Sequence, residues 1–363
     1  MINVTKTFLP PFDEYTSVLK RAWDKGWITN NGVLVQELEA KLKEYLGVKH
    51  LFFTNNGTIV LQMALKAYGI TKEVITTPFS YVATTNAILW EGCTPVFVDI
   101  NRKDLCIDAD KIEDAITEDT QAILATHVYG LPCNVEKIEA IAQKHNLKVI
   151  YDGAHAFGCV YKERSLLSYG NISTCSFHAI KLFHTVEGGC IITNDDEIAN
   201  KLMLYRQFGH VGDDYFSIGI NAKNSEFHAA MGLCILPKVK DIIKKSEEIY
   251  TYYKNNLSKN EFNPVVCSDD FKYNFSYYPV LFDSKETLMA VKNELYNNGI
   301  NPRRYFYPSL NTLPYLANAE PCPVSEDISE RILCIPSAWD LTSDDLGRIV
   351  SIINSTIRKK WVH

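Results

Sequence analysis

Apolar and polar positions follow two alternating periods along the first two thirds of the chain. Short runs rich in β-branched residues at 50–53, 74–77, 95–100, 122–127, 148–152, 173–177 and 190–193 predict strands. Between them apolar residues recur every three or four positions, which predicts helices at 34–46, 57–68, 83–90, 108–117, 134–146 and 196–208. Strand and helix in alternation imply an α/β fold, a largely parallel sheet with helices on both faces. Ahead of this series lies an amphipathic stretch at 13–25 that ends at Gly26, followed by a loop at 27–32. That loop reads either as a pocket wall or as an ordinary helix C-cap and turn.

After Pro237 the rhythm changes. A long charged helix at 239–256 leads to a strand at 276–281, a helix at 285–297, a strand at 300–305 and a proline-rich loop. The last helix starts at Thr342, where Asp345 three residues on forms a capping pattern, and Leu346, Ile349, Val350, Ile353 and Ile357 make one stripe. A chain of 363 residues exceeds one typical core. We therefore expect a large α/β domain over 1–240 and a small α+β domain over 241–363.

Composition narrows the partners. A net charge of −6, with Lys and Arg scattered, gives no basic face for nucleic acid. No basic segment followed by an apolar run opens the chain, and no stretch approaches the length of a membrane span, so a cytoplasmic location without membrane contact is expected. The ten cysteines lack Cys-x-x-Cys spacing and stand mostly in apolar contexts. They read as buried thiols in a reducing compartment, with neither disulfides nor a metal site expected.

The chemistry gathers around Lys181. Ile180, Leu182 and Phe183 flank it, and desolvation among apolar neighbours lowers a lysine's pKa until its neutral amine can act as a nucleophile. Alone, such a lysine more often snorkels its head to water. Asp152 closes an apolar strand about thirty residues upstream, at the end of a strand where open α/β sheets bind ligands. A carboxylate there suits the ring nitrogen of pyridoxal phosphate, or caps a turn. Gly57 and Thr58 open a helix after a strand, which makes either an anion site or a plain N-cap turn. His127 reads as a structural histidine. The cluster at 303–306 meets either substrate or solvent.

The ordered segments at 55–58 (Asn-Asn-Gly-Thr), 77–84, 152–158 (Asp-Gly-Ala-His-Ala-Phe-Gly), 176–181 (Ser-Phe-His-Ala-Ile-Lys), 187–189 and 219–230 resemble the DegT-like sugar-nucleotide aminotransferases. The resemblance implies a fold-type I enzyme of pyridoxal 5'-phosphate, cycling through pyridoxamine 5'-phosphate, whose large domain holds a mostly parallel seven-stranded sheet. It implies that Lys181 bonds the cofactor and shuttles protons, that Asp152 holds the ring nitrogen, and that His155 meets the phenolic oxygen. Tyr81 would stack on the ring. Gly57, Thr58 and Ser176 would hold the phosphate, joined by Asn221 of a second subunit in a homodimer with shared active sites.

The same resemblance implies transfer from L-glutamate, released as 2-oxoglutarate, to a nucleotide-linked keto sugar. The start at 27–32 and the run 176–185 lean toward C4 of a dTDP-4-keto-6-deoxyglucose, giving a dTDP-4-amino-4,6-dideoxyglucose for a surface polysaccharide such as an O-antigen or for a glycosylated natural product. A C3 ketone or a UDP or GDP carrier would leave the same motifs. A dehydratase, whose family members carry histidine in place of the lysine, is opposed by Lys181, and a cofactor-binding regulator by the complete Asp, His and Lys set. Three positions depart from the family pattern: Val33 stands for Pro, Lys223 for Arg and Asn224 for Met. Lysine cannot reproduce a bidentate arginine contact.

Overall fold

The computed structural model describes residues 1–363 except 259, 261, 263, 265, 266, 317, 318 and 361–363. Its centre is a seven-stranded sheet in the order His50–Thr54, Gly189–Thr193, Ile172–Ser176, Lys148–Asp152, Thr120–Thr126, Glu73–Thr76, Thr94–Phe97. Every neighbouring pair is parallel except those made by Gly189–Thr193, which runs antiparallel to both its neighbours.

Alternation along the strands divides the core. Val74, Ala122, Leu124, Ile150 and Ile191 join one buried cluster with residues of the helices Gly57–Ala67, Val82–Trp90 and Asp196–Arg206. Their neighbours Ile75, Ile123, Ala125, Val149, Tyr151 and Ile192 join the other, with the helices Val33–Leu46 and Val135–His145. Both faces of the sheet are covered, which is why its strands read as continuous apolar runs.

Beyond the sheet, Tyr278–Leu281 pairs antiparallel with Ile332–Ile335, and the helices Lys285–Asn297 and Ser343–Lys360 pack on each other. The N-terminal strand Ile2–Asn3 pairs in parallel with Ile300–Asn301, which ties the start of the chain to its last third. The expected cap of the last helix is present: Thr342 Oγ1 donates to Asp345 Oδ2 at 2.7 Å while the Asp345 amide donates back at 3.2 Å. All five residues of its apolar stripe are buried.

Two expectations fail, and two helices go unpredicted, for local reasons. The pattern at 108–117 yields only a single 3₁₀ turn, Glu113–Ala115. Asp108 Oδ1 accepts the Asp110 amide, and the Asp108 amide donates to Asp99, so aspartate turns outcompete the helix. The strand at 300–305 stops at Asn301, because Pro302 has no N–H; Arg303 then makes one isolated two-way bridge with Cys334. Helix Glu226–Ile235 escapes notice because eight of its ten residues are buried, leaving no polar face to set a period. Helix Pro323–Arg331 hides in a segment of proline, serine and acids, and it leads into the apolar strand Ile332–Ile335.

The nine cysteines whose side chains are described are buried; Cys267 lies outside that set. Among the described residues no helix is long and apolar enough to cross a membrane.

Candidate active site

The carboxyl ends of the parallel strands open into a cavity of about 320 Å³. Strand register lines up its floor, since Thr126 stands beside Asp152, Asp152 beside Thr174, and Gly189 between Ser176 and Thr54. Of the eight candidate residues, Gly57, Thr58, Tyr81, Asp152, His155, Ser176 and Lys181 all line this cavity. Asn221 does not. It sits beside Asn55, whose side-chain amide donates to its carbonyl at 3.2 Å, and its own Oδ1 accepts from Lys223.

Asp152 ends its strand almost fully buried. Its Oδ1 accepts the Ala154 amide at 3.0 Å and its Oδ2 the Thr84 hydroxyl at 2.8 Å. Behind Thr84 a relay of hydroxyls continues, to Ser80 at 2.7 Å and from Ser80 to Thr126 at 3.0 Å. These donors orient the carboxylate but leave its charge without a cation in an ion pair among the described residues. A buried anion is costly until a positive group meets it. Thr84 fell inside a recognised segment, yet nothing in sequence linked it to Asp152, which lies 68 positions away.

Lys181 stands in a loop closed by two backbone bonds, Phe177 N–H to the Gly188 carbonyl at 2.8 Å and Thr185 N–H to the Phe177 carbonyl at 2.9 Å. Gly189 lets the chain pass close to the start of the helix Gly57–Ala67: a Cβ there would lie 2.5 Å from the Asn56 carbonyl oxygen. Burial holds the Lys181 ammonium below the ordinary lysine pKa, while nearby Asp152 opposes that shift. The amine's one hydrogen-bond partner among the described residues is the Tyr277 hydroxyl, at 3.4 Å.

His155 is buried beside it, and burial first and Lys181 second hold its pKa well below the usual range. Its Nδ1 accepts the Tyr129 amide at 3.2 Å, so the neutral ring carries its proton on Nε2. Tyr129 donates from a left-handed backbone (φ 55°, ψ 9°), a conformation that costs a side-chain-bearing residue of order 1–3 kcal/mol. His127, by contrast, is a core residue: it stacks on Tyr151 and accepts the Cys133 amide.

At the opposite wall, Gly57 begins its helix so close to Ser176 that a Cβ would lie 2.7 Å from the serine Cβ. The Asn56 side chain already caps the Thr58 and Ile59 amides at 2.9 and 2.8 Å. What remains for an anion is the Gly57 end of the helix with the Thr58 and Ser176 hydroxyls, and the dipole's positive end favours such a guest. Tyr81 presents its ring at the mouth, 62% exposed. The arginine pair nearby divides. Arg304 is held by the Ser329 and Glu330 carbonyls, the Glu330 carboxylate and the Tyr307 ring, whereas Arg303 lines the cavity and makes no ion pair among the described residues.

These features fit pyridoxal phosphate. A cationic ring nitrogen would meet the unpaired charge of Asp152, a dianion the helix end at Gly57, an aldehyde the amine of Lys181, and a flat ring the exposed face of Tyr81.

Comparison with known proteins agrees. The model of the DegT/DnrJ/EryC1/StrS aminotransferase family matches residues 13–354. A dTDP-4-amino-4,6-dideoxy-D-glucose transaminase of Shigella dysenteriae is 43% identical over 359 residues, covering 97% of this chain and 98% of its own. A GDP-perosamine synthase of Escherichia coli O157:H7 is 34% identical, covering 91% and 92%. Among solved structures, that of DesI in the presence of its TDP-sugar product superposes with a TM-score of 0.93 at 30% identity, covering 99% of this chain and 94% of that one.

Proposed function

The chain belongs to the DegT/DnrJ/EryC1/StrS aminotransferase family, and from that premise we propose that it moves an amino group from L-glutamate to C4 of dTDP-4-keto-6-deoxyglucose. The product is dTDP-4-amino-4,6-dideoxyglucose, a building block for a surface polysaccharide. The observation that carries this reading is the convergence of Lys181, Asp152, His155 and the helix end at Gly57 on one cavity, in a chain similar over almost its whole length to a transaminase of that sugar.

When bound, pyridoxal phosphate supplies an electron sink and carries the amino group between the two substrates. The residues do the rest. Lys181 bonds the cofactor and, when free, takes a proton from one carbon and returns it to another, which a pKa below that of an ordinary lysine favours. Asp152, fixed by Thr84 and Ala154, keeps the ring nitrogen protonated. His155 directs its Nε2 proton at the phenolic oxygen. Gly57, Thr58 and Ser176 anchor the phosphate.

Asn221 would complete that anchor in a neighbouring subunit. The segment leading to it supports this reading, because Phe208, Tyr215, Phe216 and Ile218 are large, apolar and exposed on it. A GDP-linked keto sugar is the second reading, favoured by the similarity to the perosamine synthase.

Incubation with L-glutamate and dTDP-4-keto-6-deoxyglucose, with the GDP- and UDP-linked keto sugars in parallel, separates the two. Mass spectrometry should detect the dTDP amino sugar at a rate at least tenfold above the others. A faster GDP reaction would replace the first reading by the second.

A further inference from the structure

The Tyr277 hydroxyl faces the Lys181 amine. Tyr277 is 3% exposed, and Lys181 Nζ, at 3.4 Å, is the sole hydrogen-bond partner its hydroxyl has among the described residues. This contact is what keeps the buried hydroxyl paired, since an unmet polar group costs about 1–3 kcal/mol.

Its placement is built by the surrounding chain. Tyr277 immediately precedes the strand Tyr278–Leu281, which pairs with Ile332–Ile335. The residue before it, Ser276, receives the Ser337 hydroxyl on its carbonyl at 2.9 Å and donates its amide to Asn274 Oδ1 at 3.1 Å. Asn274 then reaches across with Nδ2 to the carbonyls of His155 and Phe157, at 2.8 and 2.9 Å. One buried asparagine thus ties the tyrosine's segment to the loop that carries His155, and the Tyr277 and His155 rings stand 4.4 Å apart. Tyr277 also belongs to the wall between the main cavity and a smaller one of about 50 Å³ behind it.

We propose that Tyr277 is a positioning residue for Lys181, its hydroxyl fixing where the lysine's amine stands whenever that amine is free. The idea rests on Lys181 being the residue that bonds the cofactor and moves the proton. Burial pushes the tyrosine's own ionisation far up, so it stays a neutral phenol. A neutral phenol serves both states of the amine, its O–H donating to the lone pair of –NH₂ and its oxygen accepting from –NH₃⁺. The amine can therefore take the proton from the donor's α-carbon as C–H becomes N–H, and give it back, without leaving its place. Misplacement of a reacting group by about 1 Å costs on the order of a hundredfold in rate.

Tyr277→Phe keeps the ring and deletes the hydroxyl. With stopped-flow absorbance, conversion of the loaded enzyme by L-glutamate should slow by roughly 10- to 100-fold, and the effect of deuterium at the α-carbon should grow as proton transfer becomes limiting. Enzyme stripped of cofactor should recapture pyridoxal phosphate about tenfold more slowly, to the same final absorbance. The KM for the keto sugar and the thermal midpoint should not move. Rates within about threefold of wild type, or slower rates with an unchanged isotope effect and a lowered midpoint, would overturn the proposal and leave Tyr277 a packing residue. Failure of the underlying reading looks different: Lys181→Ala would then keep the lysine-linked absorbance.

Discussion

The floor of the cavity and the arm that runs from Phe208 to Asn221 are built by opposite rules. On the floor the key polar groups are held in place from within the chain. Asp152 has two fixed donors, Thr84 and Ser80 form a closed relay, and His155 is oriented by a strained amide. The arm has a two-by-two hairpin, His210–Val211 with Asp214–Tyr215, and shows Tyr215, Phe216 and Ile218 to solvent at 77%, 65% and 82%. A floor completed inside one chain can hold a cofactor's ring and lysine by itself. Large apolar side chains exposed along one arm are the kind of surface that a second protein surface covers.

That contrast can be broken at either end. The largest effect belongs to Asp152→Asn, which keeps the contact with Thr84 and removes the charge. Turnover should fall on the order of 100- to 10,000-fold with the fold unchanged by circular dichroism. Activity within tenfold of wild type would mean that the carboxylate is a structural cap. A change on the arm should act through assembly: Phe216→Ser combined with Ile218→Ser should shift light-scattering mass from dimer to monomer and weaken cofactor binding by about tenfold, through loss of Asn221 from the partner. A variant that stays dimeric would detach the arm from the interface.

The smallest effect concerns pH. His155 is held well below the pKa near 6.5 that it regains on unfolding. The unfolded chain therefore takes up a proton that the folded one refuses. Stability from this site is complete above about pH 6.5 and is lost as pH falls through that value toward the folded-state pKa. His155→Gln, which cannot ionise, should reduce the drop in thermal midpoint between about pH 7 and pH 5 by about 1–2 °C. An identical drop in both proteins would assign acid sensitivity elsewhere.

The same division decides what could be read from sequence. The floor rests on local signals, an apolar strand ending in Asp152, a glycine opening a helix, a lysine among apolar neighbours, and all were visible along the chain. The strands were visible too, because both faces of the sheet are buried. Contacts that cross the sequence were silent. Thr84 reaches Asp152 from 68 positions away and Tyr277 reaches Lys181 from 96. The buried Glu226 carboxylate accepts the Leu34 and Val35 amides at 2.7 and 3.1 Å, from 192 and 191 positions away, and so caps the helix Val33–Leu46 in place of the side-chain cap that Gly32 lacks. Asn221 lies within a recognised segment, but within one chain it bridges Gln207 and bonds to Asn55 and Lys223, away from the cavity.

The most direct test of the account is the absorbance of the purified enzyme with pyridoxal phosphate, before and after L-glutamate, beside Lys181→Ala. Wild type should show the visible band of lysine-bound cofactor and lose it to the pyridoxamine form when glutamate is added, while the variant never forms the band. A band that survives in Lys181→Ala, or that glutamate leaves unchanged in wild type, would contradict an aminotransferase centred on this lysine.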